Sequence, residues 1–391
     1  MKRICETVAS TVTHRLDDVL SGGTGSDLLC ACCPPRRGFL GKLAALGAAA
    51  MLPGELMAQP AAQTGLPAGS PAAHHAGHHA AARRKPHRID VHHHIMPPGY
   101  MSEIASSRVG SAAQWTPELS LEDMDKSGIA ISILSLIQPG VWLGDIAQGR
   151  RLARDTNDYG AKLVKDHPGR FGLFATLPLP DAEGSLKEIE YGLDVLKADG
   201  IGLMTSYGNK WLGDPVFAPV WEELNRRKAV VYTHPLSPDC CRNLIPGVST
   251  GAIEYATDTT RAVASLVFSG TAARYPDIRW IFSHAGGTMP FLYSRFTREE
   301  QTMKNREQRL PKGVVFELKK FYYDTAQANH PGALAALTKL VSVSQVLYGT
   351  DFPFRDGAEV NAGLAAYRFK PRDLRAIERD NALRLLPALK A

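Results

Sequence analysis

The chain has 391 residues, of which 44% are hydrophobic, 21% charged and 8% aromatic, the balance of a globular protein with enough chain for a large core. Its net charge of +6 would suit an acidic partner such as nucleic acid, but the charge is unevenly placed. Residues 1–85 hold nine basic and five acidic side chains, whereas the rest holds 36 basic and 34 acidic ones. The nearly neutral main part therefore argues against nucleic-acid binding.

The first 58 residues resemble a signal peptide for twin-arginine export. Arg36 and Arg37 precede a Gly-Phe-Leu sequence and then an Ala/Gly/Leu-rich run over residues 43–52. That run is too short to span a bilayer, which needs about 20 apolar residues, but it suits the hydrophobic region of a signal peptide. We therefore predict export to the periplasm, with cleavage near Ala58 or Ala62. If this leader does not function, the protein stays in the cytoplasm.

Residues 59–85 separate the leader from the rest of the chain. They are rich in Ala, Pro and Gly and could contribute little to a core, so we predict a flexible linker. Four histidines lie within it: His74, His75, His78 and His79. They could chelate a metal loosely, but without helical periodicity a solvated tract is the favoured interpretation. The remaining residues, 86–391, are then a single catalytic domain without a membrane span.

From residue 87 onward, short apolar runs alternate with amphipathic helical stretches. The runs lack strict alternation of polar and apolar residues, as is typical of parallel strands buried on both faces. The eight predicted strands cover residues 88–94, 130–136, 170–177, 200–206, 229–234, 278–284, 321–326 and 345–351. Eight strand–helix units predict an α/β fold of the (β/α)8 TIM-barrel type. A doubly wound open sheet is the alternative, disfavoured because no Gly-rich phosphate loop follows the first strand.

The first predicted strand ends in three consecutive histidines within RIDVHHH. Alternate residues of a strand point to the same side, so the imidazoles of His92 and His94 can converge on one ion. His93 should then point the other way, into the packing between strand and helix. The sequence therefore predicts half of a metal site at the end of this strand.

Further polar residues stand where later predicted strands end. His234 ends the fifth strand in VVYTHP, His284 ends the sixth in WIFSHAGG, and Asp351 ends the eighth in VLYGTDFP. The carboxyl ends of barrel strands lie on one face, where barrel enzymes build their sites. Three imidazoles and one carboxylate suit zinc or a similar divalent ion, and the remaining histidine would act as acid and base. No binding motif for an organic cofactor is visible.

Together with the closing NALRLLP, the segments DVHHH, YTHP, SHAGG and YGTDFP resemble the amidohydrolase superfamily over residues 87–390. Within it they are similar to the branch of aminocarboxymuconate-semialdehyde decarboxylase and 6-methylsalicylate decarboxylase. The resemblance implies one divalent ion, with zinc expected and manganese as the alternative. It also implies that His284 is the acid/base and that Asp351 is both a ligand and part of the catalytic machinery. The metal ligands that it implies are His92, His94, His234 and Asp351.

The same resemblance implies residues for substrate binding. Arg295 stands eleven residues after the acid/base histidine, where relatives donate an arginine across a dimer interface to the substrate carboxylate. It therefore implies a homodimer, although a surface helix arginine is the alternative. Trp211 and Phe352 match aromatic positions of the substrate wall, and either could instead be plain core. Two positions differ from γ-resorcylate decarboxylases, which carry glutamate where this chain has His92 and Gly287.

Three functions follow from these residues. The favoured prediction is a metal-dependent, non-oxidative decarboxylase of an aromatic or unsaturated carboxylic acid, with a substrate like 6-methylsalicylate or aminocarboxymuconate semialdehyde. The alternative is a hydrolase that uses the same site on a lactone, ester or amide, since one scaffold can host both reactions. The third is an exported metal-binding protein without catalysis, which would use the linker histidines.

Overall fold

The computed structural model describes residues 86–104 and 110–390, so the predictions for the leader and linker lie outside the described residues. Eight parallel strands form one sheet in sequential order, and helices surround it. The strands are β1 Arg88–Ile95, β2 Ile129–Leu136, β3 Phe171–Thr176, β4 Gly200–Met204, β5 Val230–His234, β6 Arg279–Phe282, β7 Tyr322–Asp324 and β8 Val346–Leu347. The predicted (β/α)8 barrel is confirmed, and each predicted strand has a counterpart.

The helices follow the strands as the alternating pattern predicts. Helix α3 begins after Asp145, whose carboxylate accepts a hydrogen bond from the backbone of Gln148 at 2.7 Å. The helices are α1 Pro98–Glu103, α2 Pro117–Ser127, α3 Ile146–Asp166, α4 Ala182–Glu190, α5 Ala218–Arg226, α6 Gly251–Phe268, α7 Thr271–Arg274, α8 Met289–Thr302, α9 Arg306–Arg309, α10 Val314–Lys320, α11 Pro331–Leu340, α12 Gly357–Tyr367, α13 Pro371–Arg375 and α14 Asn381–Leu385. In the part of the chain that the structure describes, none of them has the length and hydropathy of a membrane-spanning helix.

The barrel closes between β1 and the segment around β8. The backbone N–H of Val91 donates to the carbonyl of Tyr348 at 3.0 Å, and that of Asp351 donates to the carbonyl of His92 at 2.8 Å. A third bond joins the N–H of His94 to the carbonyl of Phe352 at 2.9 Å. These bonds place Asp351 and Phe352 of the motif GTDFP directly beside the histidines of β1.

The inside of the barrel next to this closure is filled by apolar side chains. Phe174 on β3 stacks on Tyr232 on β5 across the intervening strand, with ring centroids 5.4 Å apart. Ile89 and Val91 on β1 belong to the same buried cluster. Tyr232 also meets His92 with ring centroids 5.3 Å apart. The packed interior therefore forms the floor on which the histidines lie.

Five strands, β3, β4, β6, β7 and β8, end one to four residues earlier than the sequence predicts. β6 ends at Phe282 and β8 at Leu347, whereas the apolar runs continue to His284 and Asp351. The backbone φ is 53° at His284 and 71° at Asp351, so neither residue can belong to the strand before it. A left-handed conformation cannot continue a strand. Both residues therefore stand in turns just beyond the sheet.

Candidate metal centre and active site

Four buried side chains meet at the carboxyl ends of the barrel strands. They are the predicted ligands His92, His94, His234 and Asp351, each offering one donor atom, and these atoms all lie within 4.8 Å of one another. Nε2 of His92 is 3.1 Å from Nε2 of His94. Oδ1 of Asp351 is 3.0 Å from Nε2 of His92 and 2.9 Å from Nε2 of His94. Donors that share one zinc ion at about 2.1 Å lie about 3.4 Å apart, so the set fits a single divalent ion.

A bulge in β1 turns the two histidines inward. Asp90 pairs with Ser132 of β2 whereas His93 pairs with Leu134, so β1 holds one extra residue between these pairs. The bulge itself contains Val91 and His92: Val91 belongs to the interior cluster with Ile89, and His92 joins the ligand cluster with His94. The bulge therefore lets the apolar floor and the metal ligands come from one strand.

His93 points away from the cluster, as predicted. Its Nε2 lies 2.8 Å from Oγ of Ser120 on α2, and its Nδ1 lies 3.1 Å from Oδ2 of Asp90. Its ring also stacks on Phe352, with centroids 4.9 Å apart. Asp90 in turn accepts hydrogen bonds from the Oγ1 hydroxyl of Thr350 at 2.6 Å and from its backbone N–H at 3.0 Å. These contacts join the first strand to the last.

Asp324 is a site residue that sequence reasoning missed. Its Oδ2 accepts a hydrogen bond from Nδ1 of His92 at 2.9 Å, and its Oδ1 accepts from the backbone N–H of His284 at 2.9 Å. A histidine that donates from one nitrogen presents the other as a ligand, and such carboxylate partners tune the metal. The available signal was position, because Asp324 lies two residues before the end of the seventh predicted strand, in YYDTA, and it is the last residue of β7.

The buried carboxylates set the charge of the cluster. Burial lowers the pKa of His92, but the charges of Asp324 and Asp351 outweigh it and raise that pKa to about 10. Burial lowers the pKa of His94, and it lowers that of His234 well below the ordinary value with help from the charge of His94. Burial alone would raise the pKa of Asp351, yet His92 and hydrogen bonds from the histidines hold it well below its usual range. Without a metal, the cluster thus favours one positive charge, on His92 beside Asp351. A bound cation would place its positive charge among the same side chains.

His284 lies beside the ligands rather than among them. It opens a short turn after β6, and its Nε2 is 3.3 Å from Oδ2 of Asp351. Its ring centroid is 5.0 Å from that of His92. Gly287 follows, where φ is 66° and a Cβ would come within 1.9 Å of the carbonyl oxygen of Ala256. A glutamate of the γ-resorcylate type therefore cannot stand at Gly287 in this backbone.

The three predicted substrate residues lie in different surroundings. Arg295 is exposed on α8. Trp211 is half-buried in a small hairpin after β4, and its Nε1 donates to Oδ1 of Asp258 at 2.7 Å. Phe352 is half-buried against His93. The structure brings none of these three into the ligand cluster, and their substrate roles stay predictions.

A cavity of about 890 Å³ opens at this face of the barrel. Loops that follow β1, β2, β4 and β5 line it, and it reaches Tyr255, whose ring centroid is 6.3 Å from that of His234. Charged side chains at its wall include Glu103, Asp239 and Arg242. The volume suits a small organic ligand next to the ligand cluster.

An eight-stranded parallel barrel with three histidines and an aspartate at its strand ends defines a metal-dependent enzyme of the barrel type. The sequence model of the amidohydrolase family matches residues 89–388, and the chain belongs to that family.

Decarboxylase yanB of Aspergillus niger is 37% identical over 322 residues, covering 77% of this chain and 87% of that protein. The 6-methylsalicylic acid decarboxylase of Penicillium expansum is 34% identical over 316 residues, covering 78% and 97%.

A solved structure extends the comparison to three dimensions. The dihydroxybenzoic acid decarboxylase of a Polaromonas species, with bound manganese and the inhibitor 2-nitroresorcinol, is similar to this chain at a TM-score of 0.69 and 22% identity. The match covers 78% of this chain and 98% of that one. At this identity the likeness concerns the fold. The resemblance predicted from the sequence is confirmed, and the named homologues are decarboxylases.

Proposed function

We propose that the chain is a metal-dependent, non-oxidative decarboxylase of an aromatic or unsaturated carboxylic acid. The observation that carries the proposal is His284, which stands beside a four-ligand metal cluster at the carboxyl ends of the strands. The identity with two curated decarboxylases supports decarboxylation over hydrolysis on the same site. A substrate like 6-methylsalicylate follows from the second of these relatives.

The reaction needs a proton at the carbon that bears the carboxylate. His284 is the residue placed to deliver it, since it is 8% exposed and its backbone is held by Asp324. That carbon gains the proton, its bond to the carboxylate breaks, and the electron pair of the bond stays with the organic product while carbon dioxide leaves. Oδ2 of Asp351 lies 3.3 Å from Nε2 of His284, so the carboxylate would stabilise the protonated imidazole ring of His284.

The residues that would hold the ion are His92, His94, His234 and Asp351. A divalent ion bound there supplies positive charge that stabilises negative charge developing on substrate oxygens. Three imidazoles and a carboxylate support zinc as the ion, and manganese is the second candidate because the Polaromonas enzyme of the same fold holds it. Elemental analysis of protein purified without chelators tests this choice.

We also propose a homodimer in which Arg295 binds the substrate carboxylate of the neighbouring subunit. Arg295 and Phe291 lie four residues apart, hence on one face of α8, and Phe291 is 81% exposed. An aromatic ring that exposed on a helix supports a contact with another copy. A guanidinium can bind a carboxylate through two parallel hydrogen bonds, which suits the role.

Export through the twin-arginine leader is a further proposal. It is supported by the arginine pair and the short apolar run of residues 43–52. Replacement of both arginines by lysine (Arg36→Lys with Arg37→Lys) should leave the full chain in the cytoplasm, whereas the parent reaches the periplasm. Equal distribution of the two proteins after cell fractionation would contradict the proposal.

Carbon dioxide release tests the main proposal. The full chain, loaded with zinc or manganese, is incubated with 6-methylsalicylate and related hydroxylated benzoates, and both carbon dioxide and the decarboxylated product are measured. Equal amounts of the two support decarboxylation. Hydrolysis of lactones or esters without carbon dioxide release would instead support the hydrolase. A His330→Ala variant serves as the matched control, because it also removes a histidine. His330 is exposed, caps the start of α11 and is not one of the residues of the ligand cluster.

A further inference from the structure

Gln327 lies just beyond β7 in a backbone conformation that glutamine seldom adopts. Its φ is 49°, in the left-handed region. β7 lies between β6 and β8 in the sheet, and a residue that follows each of these strands also has a left-handed backbone. These residues are His284 after β6, with φ of 53°, and Asp351 after β8, with φ of 71°. Each such residue costs about 1 kcal/mol or more, and strain of this kind gathers at functional sites. Two of these three residues already have roles in the site, and Gln327 has none.

The side chains of these three residues meet at one carboxylate oxygen. Nε2 of Gln327 donates a hydrogen bond to Oδ2 of Asp351, the oxygen that also faces His284. The other oxygen, Oδ1, faces the ligand histidines and lies 2.9 Å from Nε2 of His94. The two oxygens of this buried carboxylate therefore have separate partners.

We propose that Gln327 is a positioning residue for the metal centre. Its amide occupies Oδ2 and so turns Asp351 to present Oδ1 alone to the ligand histidines. The inference deepens the proposed function, because it concerns the same centre, but it rests on the metal site and not on the identity of the substrate. Sequence reasoning missed Gln327, since nothing in DTAQANHPG marks it.

A neutral amide suits this position for two reasons. It donates a hydrogen bond without adding a positive charge that would oppose a cation next to it. Gln327 is also exposed while Asp351 is 1% exposed, so its side chain stands between Oδ2 and solvent. Without the amide, Oδ2 would be free to bind water or to turn toward the ion. Partners of this kind change metal affinity by about 10-fold to 100-fold when they are removed.

Cobalt binding to the full chain tests the proposal without any turnover. The variants are Gln327→Met, which keeps the length of the side chain but has no donor, and Gln327→Gly, which also relieves the backbone strain. We expect both to bind Co²⁺ about 10-fold to 100-fold more weakly than the parent in competition with a chromophoric chelator. We also expect the visible absorption of the bound cobalt to change, because Oδ2 can then join its coordination. Gln308→Met, on exposed α9, is the matched control and should match the parent.

Two results would overturn the proposal. One is parent-like affinity and absorption in both variants. The other is a loss in only one variant, because both lack the amide: a loss confined to Gln327→Gly would trace to the backbone, and a loss confined to Gln327→Met to the methionine side chain. If Gln327→Met fails to fold, Gln327→Gly decides alone, since glycine accepts this backbone freely. These readouts remain decisive if no decarboxylation is found, so failure of the inference is distinguishable from failure of the proposed function.

Discussion

His284 and His234 have ring centroids 5.6 Å apart, yet their surroundings suit them to different tasks. His234 has a pKa held well below its ordinary value by burial, which keeps the imidazole neutral and leaves one of its nitrogens available to a cation. His284 instead opens the turn after β6, with its backbone tied to Asp324 and its ring toward Oδ2 of Asp351. One histidine is thus suited to bind the ion and the other to move a proton.

Separate alanine variants should show this difference. His284→Ala should retain its metal and its fold but lose about 100-fold to 10,000-fold in kcat, the usual contribution of a positioned acid. His234→Ala should lose the metal itself, because one of four ligands is gone. Metal content by elemental analysis and carbon dioxide release check both statements. Undiminished turnover in His284→Ala would remove the acid/base assignment.

Asp123, which is not part of the ligand cluster, should make the free energy of unfolding depend on pH. Burial raises the pKa of its carboxyl to about 6, against the hydrogen bonds that it accepts from the backbone N–H of Gly357. The folded protein then binds this proton more tightly than the unfolded chain, whose carboxyl titrates near 3.8. The contribution of Asp123 to stability therefore falls as the pH rises from about 4 to about 6.

Asp123→Asn should remove the decrease in stability that Asp123 causes between about pH 4 and pH 6, because asparagine does not titrate. The free energy of unfolding in urea, measured from pH 4 to pH 7, should decrease less with pH in the variant than in the parent. The difference between the two proteins should grow through pH 6 and then level off. A constant difference over this range would show that Asp123 is not the titrating group.

At the scale of elements, the closure of β1 against the last strand is a polar arrangement rather than an apolar one. Oδ1 of Asp90 accepts from the backbone N–H groups of His92 and Thr350, both at 3.0 Å. Its Oδ2 accepts from the hydroxyl of Thr350. Asp90 is fully buried, so solvent water cannot replace its carboxylate as the acceptor for these donors.

Asp90→Ala should therefore lower the free energy of unfolding by about 3 kcal/mol, since several buried donors lose their acceptor together. Asp155→Ala, on the exposed side of α3, should change it by less than about 0.5 kcal/mol. Urea unfolding followed by circular dichroism measures both. Equal midpoints would contradict the proposed closure.

The sequence predicted the elements well because their signals are local. Apolar runs marked all eight strands, and the chemistry of their last residues marked the metal ligands. The bulge in β1 and the left-handed backbone at Gln327 left no such signal. They depend on which residues meet across the barrel, such as Asp324 with His92. The composition of a single strand does not contain that information.

At the scale of the whole molecule, the exposed face of α8 is where a second copy would bind. Phe291→Glu should dissociate the proposed dimer and lower turnover, because it places a charge where an apolar ring would be buried. Loss of a buried phenylalanine weakens association by about 1.5–3 kcal/mol, or roughly 10-fold to 150-fold. Val195→Glu, on another part of the surface at 62% exposure, should leave the parent's assembly unchanged. Light scattering after size exclusion measures both, and a fully active parent monomer would remove the role of Arg295.

The ion site takes its ligands from opposite ends of the barrel sequence. His92 and His94 lie on the first strand, whereas Asp351 follows the last. A ribosome releases the histidines long before the aspartate, so a growing chain offers an incomplete set of ligands. The full set forms only once the last strand has joined the first. If the leader directs the finished protein to the periplasm, the ion is selected beforehand from the metals of the cytoplasm.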